Sequence, residues 1–284
     1  MSIKTITNGI LTVSVDTIGA EIKSIKNMNE EFIWNGDKKY WANSAPILFP
    51  ICGGLINDKY TFEDKEYTLE KHGFVRKKEF QLYEQTENNL VFLLKDDEET
   101  LKQYPFNFEL YISFVLKNNS VVIEYKVKNS GSKNMYYSIG SHEAYSCPEG
   151  IEEYNIKFDK IEDFKSYILD GNLLNNQTIS VLENTDTINL KYDYFKIDAL
   201  VFKNLKSTKA VLKNKNGKKI TLDFDGFNYF LLWTKPNAPY ICLEPWRGIP
   251  DSVNANGNLT EKEGIIKLEK GKTSISTHTI TFEI

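Results

Sequence analysis

The clearest pattern along this chain is the alternation of apolar and polar residues that is typical of β-strands. Residues 121–128 show it best, since Ile123, Tyr125 and Val127 alternate with charged or polar residues. Segments of similar strand-like character lie at residues 10–16, 20–25, 79–85, 89–94, 108–116, 154–158, 210–213, 220–224, 229–233, 240–243 and 274–282. The chain is therefore expected to form many short strands.

Turn signals separate these segments, and helical signals are few. Asn118-Asn119 and Asn216-Gly217 predict tight hairpins, and residues 27–29 predict a turn near the amino end. Residues 96–103 are the helical candidate in the first half of the chain. The pattern predicts an all-β protein, a large antiparallel β-sandwich with few short helices, in a single domain over residues 1–284.

Composition narrows the function classes. Of the 284 residues, 41% are hydrophobic, which is enough for a large core, and the net charge of −4 comes without a basic block, so nucleic acid is not an expected partner. The amino end has no apolar signal segment, and no apolar run is long enough to span a bilayer, so no membrane partner is expected. Three cysteines, Cys52, Cys147 and Cys242, without a CxxC pair predict a reducing, cytoplasmic location.

An acid follows directly on one apolar segment. Residues 240–243 predict a buried strand, and Pro245 and Gly248 predict its end, so Glu244 is expected where a sheet opens into a loop. A carboxylate there must be paired or hydrogen-bonded, and Trp246 adds a flat apolar surface beside it. The pattern fits a base in a sugar site and a capped structural acid equally well.

Two of the three histidines lie among small or charged neighbours. His72 is followed by Gly73 and then by Arg76, which predicts a neutral donor and a cation in one pocket or, alternatively, a solvated loop. His142 follows Gly140-Ser141 and can exchange a proton near neutral pH, unless it is a core histidine. His278 lies inside the last predicted strand, where a structural role is expected.

Other chemistries remain open or are disfavoured. Two histidines with a glutamate could bind zinc, but the sequence has no HxH or HExxH pair. Glu143 with Glu244 would suit glycoside hydrolysis, and a His–Glu acid/base couple is at least as attractive. Glycine-rich phosphate loops and a GxSxG motif do not occur.

Several short motifs occur in an order that points to one family. They are Pro46-Ile47-Leu48-Phe49-Pro50, Asn57-Asp58, His72-Gly73-Phe74-Val75-Arg76, Gly140-Ser141-His142 and Leu243-Glu244-Pro245-Trp246. In this order they resemble the aldose 1-epimerase (galactose mutarotase) family, specifically its LacX-like branch. The resemblance covers nearly the whole chain. It implies a β-supersandwich of large antiparallel sheets with a sugar in a concave groove, and it implies neither a metal nor an organic cofactor.

The resemblance also implies roles for individual residues. His142 matches the general acid that protonates the ring oxygen, and Glu244 matches the base that takes the proton of the anomeric hydroxyl. His72 matches a sugar-contacting histidine, and Asp198 matches a substrate-binding aspartate. In this scheme His142 starts protonated and Glu244 starts ionised.

One motif departs from the family pattern. Many members carry Asn-Arg where this chain has Asn57-Asp58, so Asn57 is expected to bind substrate without the usual arginine, and Arg76 is expected to replace it. Trp233 and Trp246 are expected to support the apolar face of the sugar.

The predicted function is therefore the interconversion of the α and β anomers of an aldohexose such as galactose or glucose, by a monomer or homodimer. One alternative is a non-catalytic carbohydrate-binding or sensing protein on the same fold. Another is an epimerase of hexose 6-phosphates, which would bring Lys71 or Lys77 beside Arg76.

Overall fold

Strands dominate the computed structural model, which describes residues 2–28 and 30–283. The turn predicted at residues 27–29 includes Asn29, which lies outside the described residues. In chain order the strands are β1 Ile3–Thr7, β2 Thr12–Asp16, β3 Ile22–Asn27, β4 Glu30–Glu31, β5 Ile47–Leu48, β6 Lys59–Phe62, β7 Lys65–Thr68, β8 Gln81–Gln85, β9 Asn89–Lys95, β10 Phe108–Lys117, β11 Ser120–Asn129, β12 Met135–Tyr137, β13 Ile139–Ser141, β14 Glu143–Ser146, β15 Tyr154–Asp170, β16 Leu173–Asn189, β17 Leu200–Lys203, β18 Lys209–Asn214, β19 Lys219–Asp223, β20 Tyr229–Trp233, β21 Tyr240–Arg247, β22 Ile266–Leu268 and β23 Thr273–Glu283.

Helical structure is sparse in the described ranges. The α-helix α1 spans Glu98–Gln103 and begins after Asp97, whose side chain accepts a hydrogen bond from the Thr100 amide. Short 3₁₀ turns lie at Ile56–Asp58, Val75–Lys77, Ile151–Glu153, Tyr192–Phe195 and Leu259–Glu261. Among residues 2–28 and 30–283, no helix has the length and apolar character needed to cross a membrane.

The strands pair antiparallel in one large sheet and three small ones. The large sheet has 15 strands and follows the path β5-β13-β21-β20-β17-β15-β18-β19-β23-β11-β10-β9-β8, with β14 also on β21 and β16 on β15. The smaller sheets are β1-β2-β3-β4, β12-β22 and β6-β7. The predicted all-β class with large antiparallel sheets and few short helices is therefore confirmed.

A shared hydrophobic core joins the two halves of the chain. Burial alternates along β10 and β11 as the sequence pattern predicts. One core cluster runs from Ile6 near the amino end to Phe282 near the carboxyl end. This shared core supports the proposal that the chain forms a single domain.

The strand β21 does not end where the sequence predicts. It continues through Glu244 and Pro245 to Arg247, so Glu244 is not at a strand end but in the middle of a strand, opposite Leu231 of β20. On its other side β21 pairs with β14 up to Leu243 and with β13 from Trp246 onward. The pairing is therefore interrupted beside Pro245, where a residue without an N–H is tolerated.

Candidate active site

A cavity of about 260 Å³ opens over β20 and β21, near one end of the strand order of the large sheet. Its floor is one face of β20 and β21, because side chains on a strand alternate between faces and Leu231, Trp233, Glu244 and Trp246 share this one. The remaining lining residues are Trp41, Asn43, Pro46, Leu48, Gly53, Lys71, His72, Arg76, His142, Leu169, Asn172, Asp198, Ala199 and Pro250. The cavity therefore draws on segments from most of the chain.

His142 and Glu244 face each other across the interrupted pairing. His142 is the residue between β13 and β14, and its Nδ1 lies 3.4 Å from Oε1 of Glu244. Their side chains are 11% and 2% exposed, and none of the described residues forms a hydrogen bond with His142 Nδ1 or Glu244 Oε2. Buried polar atoms rarely stay unpaired, so these two atoms can form hydrogen bonds with a molecule that enters the cavity.

Burial sets the protonation preferences of this pair. It lowers the pKa of His142 to about 3, helped by the positive charges of Lys71 and Arg76. It also raises the pKa of Glu244 well above its ordinary value, while Lys71 opposes that shift. The unliganded site thus favours neutral His142 and protonated Glu244, whereas the sequence-based mechanism starts from the opposite charges.

His72 presents one ring nitrogen to the cavity. Its Nδ1 accepts a hydrogen bond of 3.1 Å from the Gly53 amide, so in the neutral ring Nε2 carries the proton. Burial lowers the pKa of His72 well below its ordinary value, with His142, Lys71 and Arg76 adding to the shift, and this keeps the ring neutral. Neutral His72 is therefore a hydrogen-bond donor for a ligand in the cavity.

Gly73 explains how His72 is held. A Cβ added at Gly73 would lie 2.2 Å from the backbone oxygen of Phe49, and its φ of +69° suits glycine. Glycine thus lets the histidine loop lie directly against the proline-bracketed segment at residues 46–50. The role of this glycine is therefore to make room for neighbouring backbone.

Two cations and one carboxylate lie in the cavity wall. Arg76 donates from Nη2 to the Lys71 carbonyl over 3.2 Å, and the same nitrogen lies 3.4 Å from Glu70. Lys71 and Asp198 line the cavity with it, but Lys77 forms an exposed ion pair with Glu70 instead. The wall can therefore bind an anionic or hydroxyl-rich group.

Three tryptophans line the cavity around His142 and His72. The Trp41 ring lies 4.8 Å from the His142 ring and 5.3 Å from that of Trp233, and Trp246 lies 5.5 Å from His72. Trp246 also donates from Nε1 to the Ser141 carbonyl over 2.9 Å. These rings supply apolar surfaces of the kind that bind the C–H face of a sugar.

The structure brings most of the predicted site residues together. The cavity is lined by His142, Glu244, His72, Arg76, Asp198, Trp233 and Trp246. Asn57 does not line it: it is exposed in the Ile56–Asp58 turn with a φ of 55°. The turn is closed by its own backbone hydrogen bonds and by the Ile56 amide on Asp251, which hold Asn57 away from the cavity.

Glu143 and His278 form a separate buried pair. Glu143 lies opposite Leu243, and its side chain points to the core face of β14. There its Oε1 forms a hydrogen bond of 3.1 Å with Nε2 of His278. Neither residue lines the cavity. The glycoside-hydrolase alternative, which needs Glu143 facing Glu244 across a sugar, is therefore wrong.

Some lining residues escaped the sequence-based prediction. Trp41 and Asn43 stand just before the proline-bracketed segment, which was the only available signal. Leu169 and Asn172 arrive from the β15–β16 hairpin and carry no local signal. Lys71 was considered only for the phosphorylated-sugar alternative.

Comparison with known proteins gives consistent results. Residues 2–281 match the family model described as aldose 1-epimerase. Protein LacX of Lactococcus lactis subsp. lactis, in both its plasmid and chromosomal forms, is 37% identical over 96% of this chain and 97% of its own length.

Solved structures agree in fold. A galactose mutarotase related enzyme from Lactobacillus acidophilus superposes with a TM-score of 0.95 at 32% identity, covering 100% of this chain and 98% of its own. A galactose mutarotase-like protein from Lactobacillus casei gives a TM-score of 0.94 at 26% identity, with 99% and 100% covered.

Proposed function

Because this chain belongs to the aldose 1-epimerase family, we propose that it is an isomerase that interconverts the α and β anomers of an aldohexose such as galactose or glucose. The observation that carries this proposal is the facing of His142 and Glu244 at 3.4 Å on the cavity floor, with an unpartnered polar atom on each. An acid and a base this close can act on two neighbouring oxygens of one sugar ring.

The reaction needs one proton to enter and one to leave. Glu244 removes the proton of the anomeric hydroxyl as His142 protonates the ring oxygen, and the bond between C1 and that oxygen breaks to give the open aldehyde. Rotation about C1–C2 presents the other face of the aldehyde, and ring closure reverses both proton transfers. Acid/base groups of this kind typically contribute about 10²–10⁴-fold to a rate.

The protonation preferences of the unliganded site make substrate binding part of the mechanism. His142 and Glu244 share one proton, which lies either on Glu244 or on His142. Its transfer from Glu244 to His142 therefore leaves the total charge of the pair unaltered. Hydrogen bonds from sugar hydroxyls to the Glu244 carboxylate favour its ionised form. The bound sugar therefore shifts the proton to His142 and sets up the acid and the base.

The surrounding side chains position the ring. His72 donates from Nε2 to a sugar oxygen, and Asp198 and Arg76 bind further hydroxyls. Trp233 and Trp246 support the apolar face, together with Trp41, which stacks on His142. No step of this scheme requires a metal or an organic cofactor.

The first prediction concerns the base. Glu244→Gln keeps the shape of the side chain but cannot accept the hydroxyl proton, so mutarotation measured by polarimetry should fall by about 10²-fold or more. Glu66→Gln, which alters an exposed ion pair with Lys59, is the matched control and should keep full activity. Full activity in Glu244→Gln would refute the base assignment.

A non-catalytic sugar-binding protein is distinguished by the same experiment. It would bind galactose or glucose in a calorimetric titration while the unmodified protein showed no mutarotation above buffer. The 3.4 Å approach of His142 to Glu244 favours the enzyme, because mutarotation needs an acid and a base within reach of the same sugar ring whereas binding alone does not.

The convergence of two cations favours a second candidate, a sugar that carries a phosphate. Lys71 and Arg76 both line the cavity, whereas Lys77 does not. Cations in a partly closed site bind phosphate strongly. A hexose 6-phosphate would place its phosphate there if its anomeric carbon lies between His142 and Glu244.

The second prediction tests that candidate. If the substrate is phosphorylated, glucose 6-phosphate should be converted with a higher kcat/KM than glucose. Lys71→Met should reduce the ratio of these two kcat/KM values by about tenfold, because a charge-assisted hydrogen bond contributes about 1.5–3 kcal/mol. Lys77→Met is the matched control. An equal or lower kcat/KM for the phosphate would assign the two cations to neutral hydroxyls.

We further propose a cytoplasmic location and a monomer or homodimer without nucleic-acid or membrane partners. The three free, buried cysteines are consistent with a reducing compartment.

A further inference from the structure

Cys242 is a buried thiol for which the proposed acid/base mechanism has no use. It lies two residues before Glu244 on β21 and therefore on the same face of the strand, opposite Ala144 and Trp233 in the neighbouring strands. Its exposure is 0%. Mere packing would be served by any small apolar residue among these aromatic rings, so its proximity to the acid and base is the feature of interest.

The thiol, the imidazole and the carboxylate form a compact set. One ligand atom from each of His142, Cys242 and Glu244 lies within 4.8 Å of the other two. Bound zinc sits about 2.0–2.3 Å from such atoms, so its ligands lie roughly 3.3–3.8 Å apart, and small side-chain movements close the difference.

A second, independent observation points to a ligand here. Glu244 is 1% exposed, yet in the part of the chain that the structure describes neither its Oε2 nor Nδ1 of His142 has a hydrogen-bond partner. Two buried lone-pair donors beside a sulfur atom are what a cation that prefers nitrogen and sulfur ligands requires.

We propose that His142, Cys242 and Glu244 form a tripodal binding site for a thiophilic divalent cation, Zn²⁺ or Cd²⁺, whose occupation blocks the catalytic pair. On binding, the Cys242 thiol and the protonated Glu244 carboxyl group each release one proton to solvent, and the sulfur forms the metal–sulfur bond. Neutral His142 supplies a ring-nitrogen lone pair, and ionised Glu244 supplies an oxygen. The fourth coordination position faces the cavity, where a water can occupy it.

The charges around the site set the class of metal it can hold. Lys71 and Arg76 in the cavity wall oppose any cation, whereas Asp198 in the same wall partly offsets them. Hard cations such as Mg²⁺ and Ca²⁺ gain little from a thiolate and an imidazole, so they do not overcome this opposition. The site therefore selects soft or borderline ions, and it acts as an inhibitory site and not as a cofactor site.

Metal binding can be measured directly with Cd²⁺. Metal-free protein is titrated with Cd²⁺, and the ultraviolet charge-transfer absorption of the cadmium–thiolate bond is followed for the unmodified protein, for Cys242→Ala and for Cys147→Ala. Cys147 is an equally buried thiol away from the site and serves as the matched control. We expect a one-equivalent band in the unmodified protein and in Cys147→Ala, and its loss in Cys242→Ala.

Two further variants keep the test decisive. Cys242→Ser, which is closer in size to cysteine, replaces Cys242→Ala if that variant does not fold. Glu244→Gln retains the thiol, but its affinity for Cd²⁺ should be at least about tenfold lower. No band in the unmodified protein, or the same band in the Cys242 variants, would overturn the proposal.

The inhibitory consequence rests on the proposed mutarotation and is measured separately. Zn²⁺ should raise the apparent KM for the sugar without changing kcat, because sugar and metal compete for the same two side chains, and a chelator should restore the rate. Zn²⁺ should inhibit Cys147→Ala as strongly as the unmodified protein and Cys242→Ala at least about tenfold more weakly. A Cd²⁺ band in a protein without mutarotation would support the metal site and refute the proposed enzyme, so the two failures are distinguishable.

Discussion

At the scale of single residues, one ammonium group influences the proton content of the whole site. Lys71 lowers the pKa of His72, His142 and Glu244. For the two histidines this effect adds to that of burial, whereas for Glu244 it opposes burial. Lys71 therefore counteracts part of the effect of burial on the pKa of Glu244, besides any contact that it makes with the sugar.

The same scale shows which site residues a sequence can reveal. His72, His142 and Glu244 are chemically rare groups flanked by glycine, serine, proline or tryptophan, so each stands out locally. Trp41 does not, because an aromatic residue among strand-like segments is usually core, and only the folded chain places its ring 4.8 Å from His142. Asn57 lies outside the cavity because the turn at Ile56–Asp58 exposes it to solvent, and a motif position alone does not show that turn geometry.

At the scale of elements, the interruption between β13 and β14 brings His142 and Glu244 together. Proline in a sequence normally argues against a central strand, which is why β21 was expected to end before Pro245. The neighbouring strand breaks at the same level, and the residue at the break is His142. The break between β13 and β14 thus accommodates Pro245 and directs His142 towards Glu244. In the sequence, neither the proline nor the histidine alone indicates this break.

A substitution at Gly140 tests this arrangement of strands. A Cβ at Gly140 would lie 2.6 Å from Cδ1 of Trp246 and 3.1 Å from Sγ of Cys52, so in Gly140→Ala the Trp246 ring or strand β13 must move. Overpacking of this kind typically costs about 1–3 kcal/mol of stability. Because His142 follows two residues later, kcat should also fall by about tenfold or more.

The matched control for Gly140→Ala is Gly131→Ala. The nearest atom to a Cβ there is Oδ1 of Asn129 at 3.4 Å, which is ordinary contact. Urea unfolding and polarimetry on both variants give the comparison. Equal stability and activity in Gly140→Ala and Gly131→Ala would show that the spacing of β13 and β21 does not position His142.

At the scale of the whole molecule, the sequence predicts the class of fold but not the pairing of its strands. Alternation along β10 and β11 suffices to identify strands, because it depends on neighbouring residues alone. The insertion of the final strand β23 between β19 and β11 depends on contacts across most of the chain and leaves no local pattern. The cavity residues Leu169 and Asn172 were missed for the same reason.

The dependence of stability on pH is a property of the molecule as a whole, to which the site contributes in a distinctive way. His72 stays neutral in the folded state below its ordinary pKa of 6.5, while the unfolded chain takes up the proton. Stability is therefore lost as the pH falls below 6.5, by about 1.4 kcal/mol per pH unit at most. His142 and Glu244 together hold one proton when folded, and between about pH 4.5 and 6.5 they also hold one when unfolded. Their contributions to the slope cancel.

Two variants should separate these contributions in urea unfolding at pH 6.5 and 5.0. In His72→Asn, the decrease in the free energy of unfolding between pH 6.5 and 5.0 should be about 1.5 kcal/mol smaller than in the unmodified protein. Glu244→Gln should add about 1.5 kcal/mol to that loss, because burial still keeps His142 neutral when folded and no glutamate proton compensates. Groups common to all three proteins cancel in the comparison. An unchanged pH dependence in Glu244→Gln would mean that His142 already carries its proton in the folded, unliganded protein, with Glu244 ionised as the sequence-based mechanism assumed.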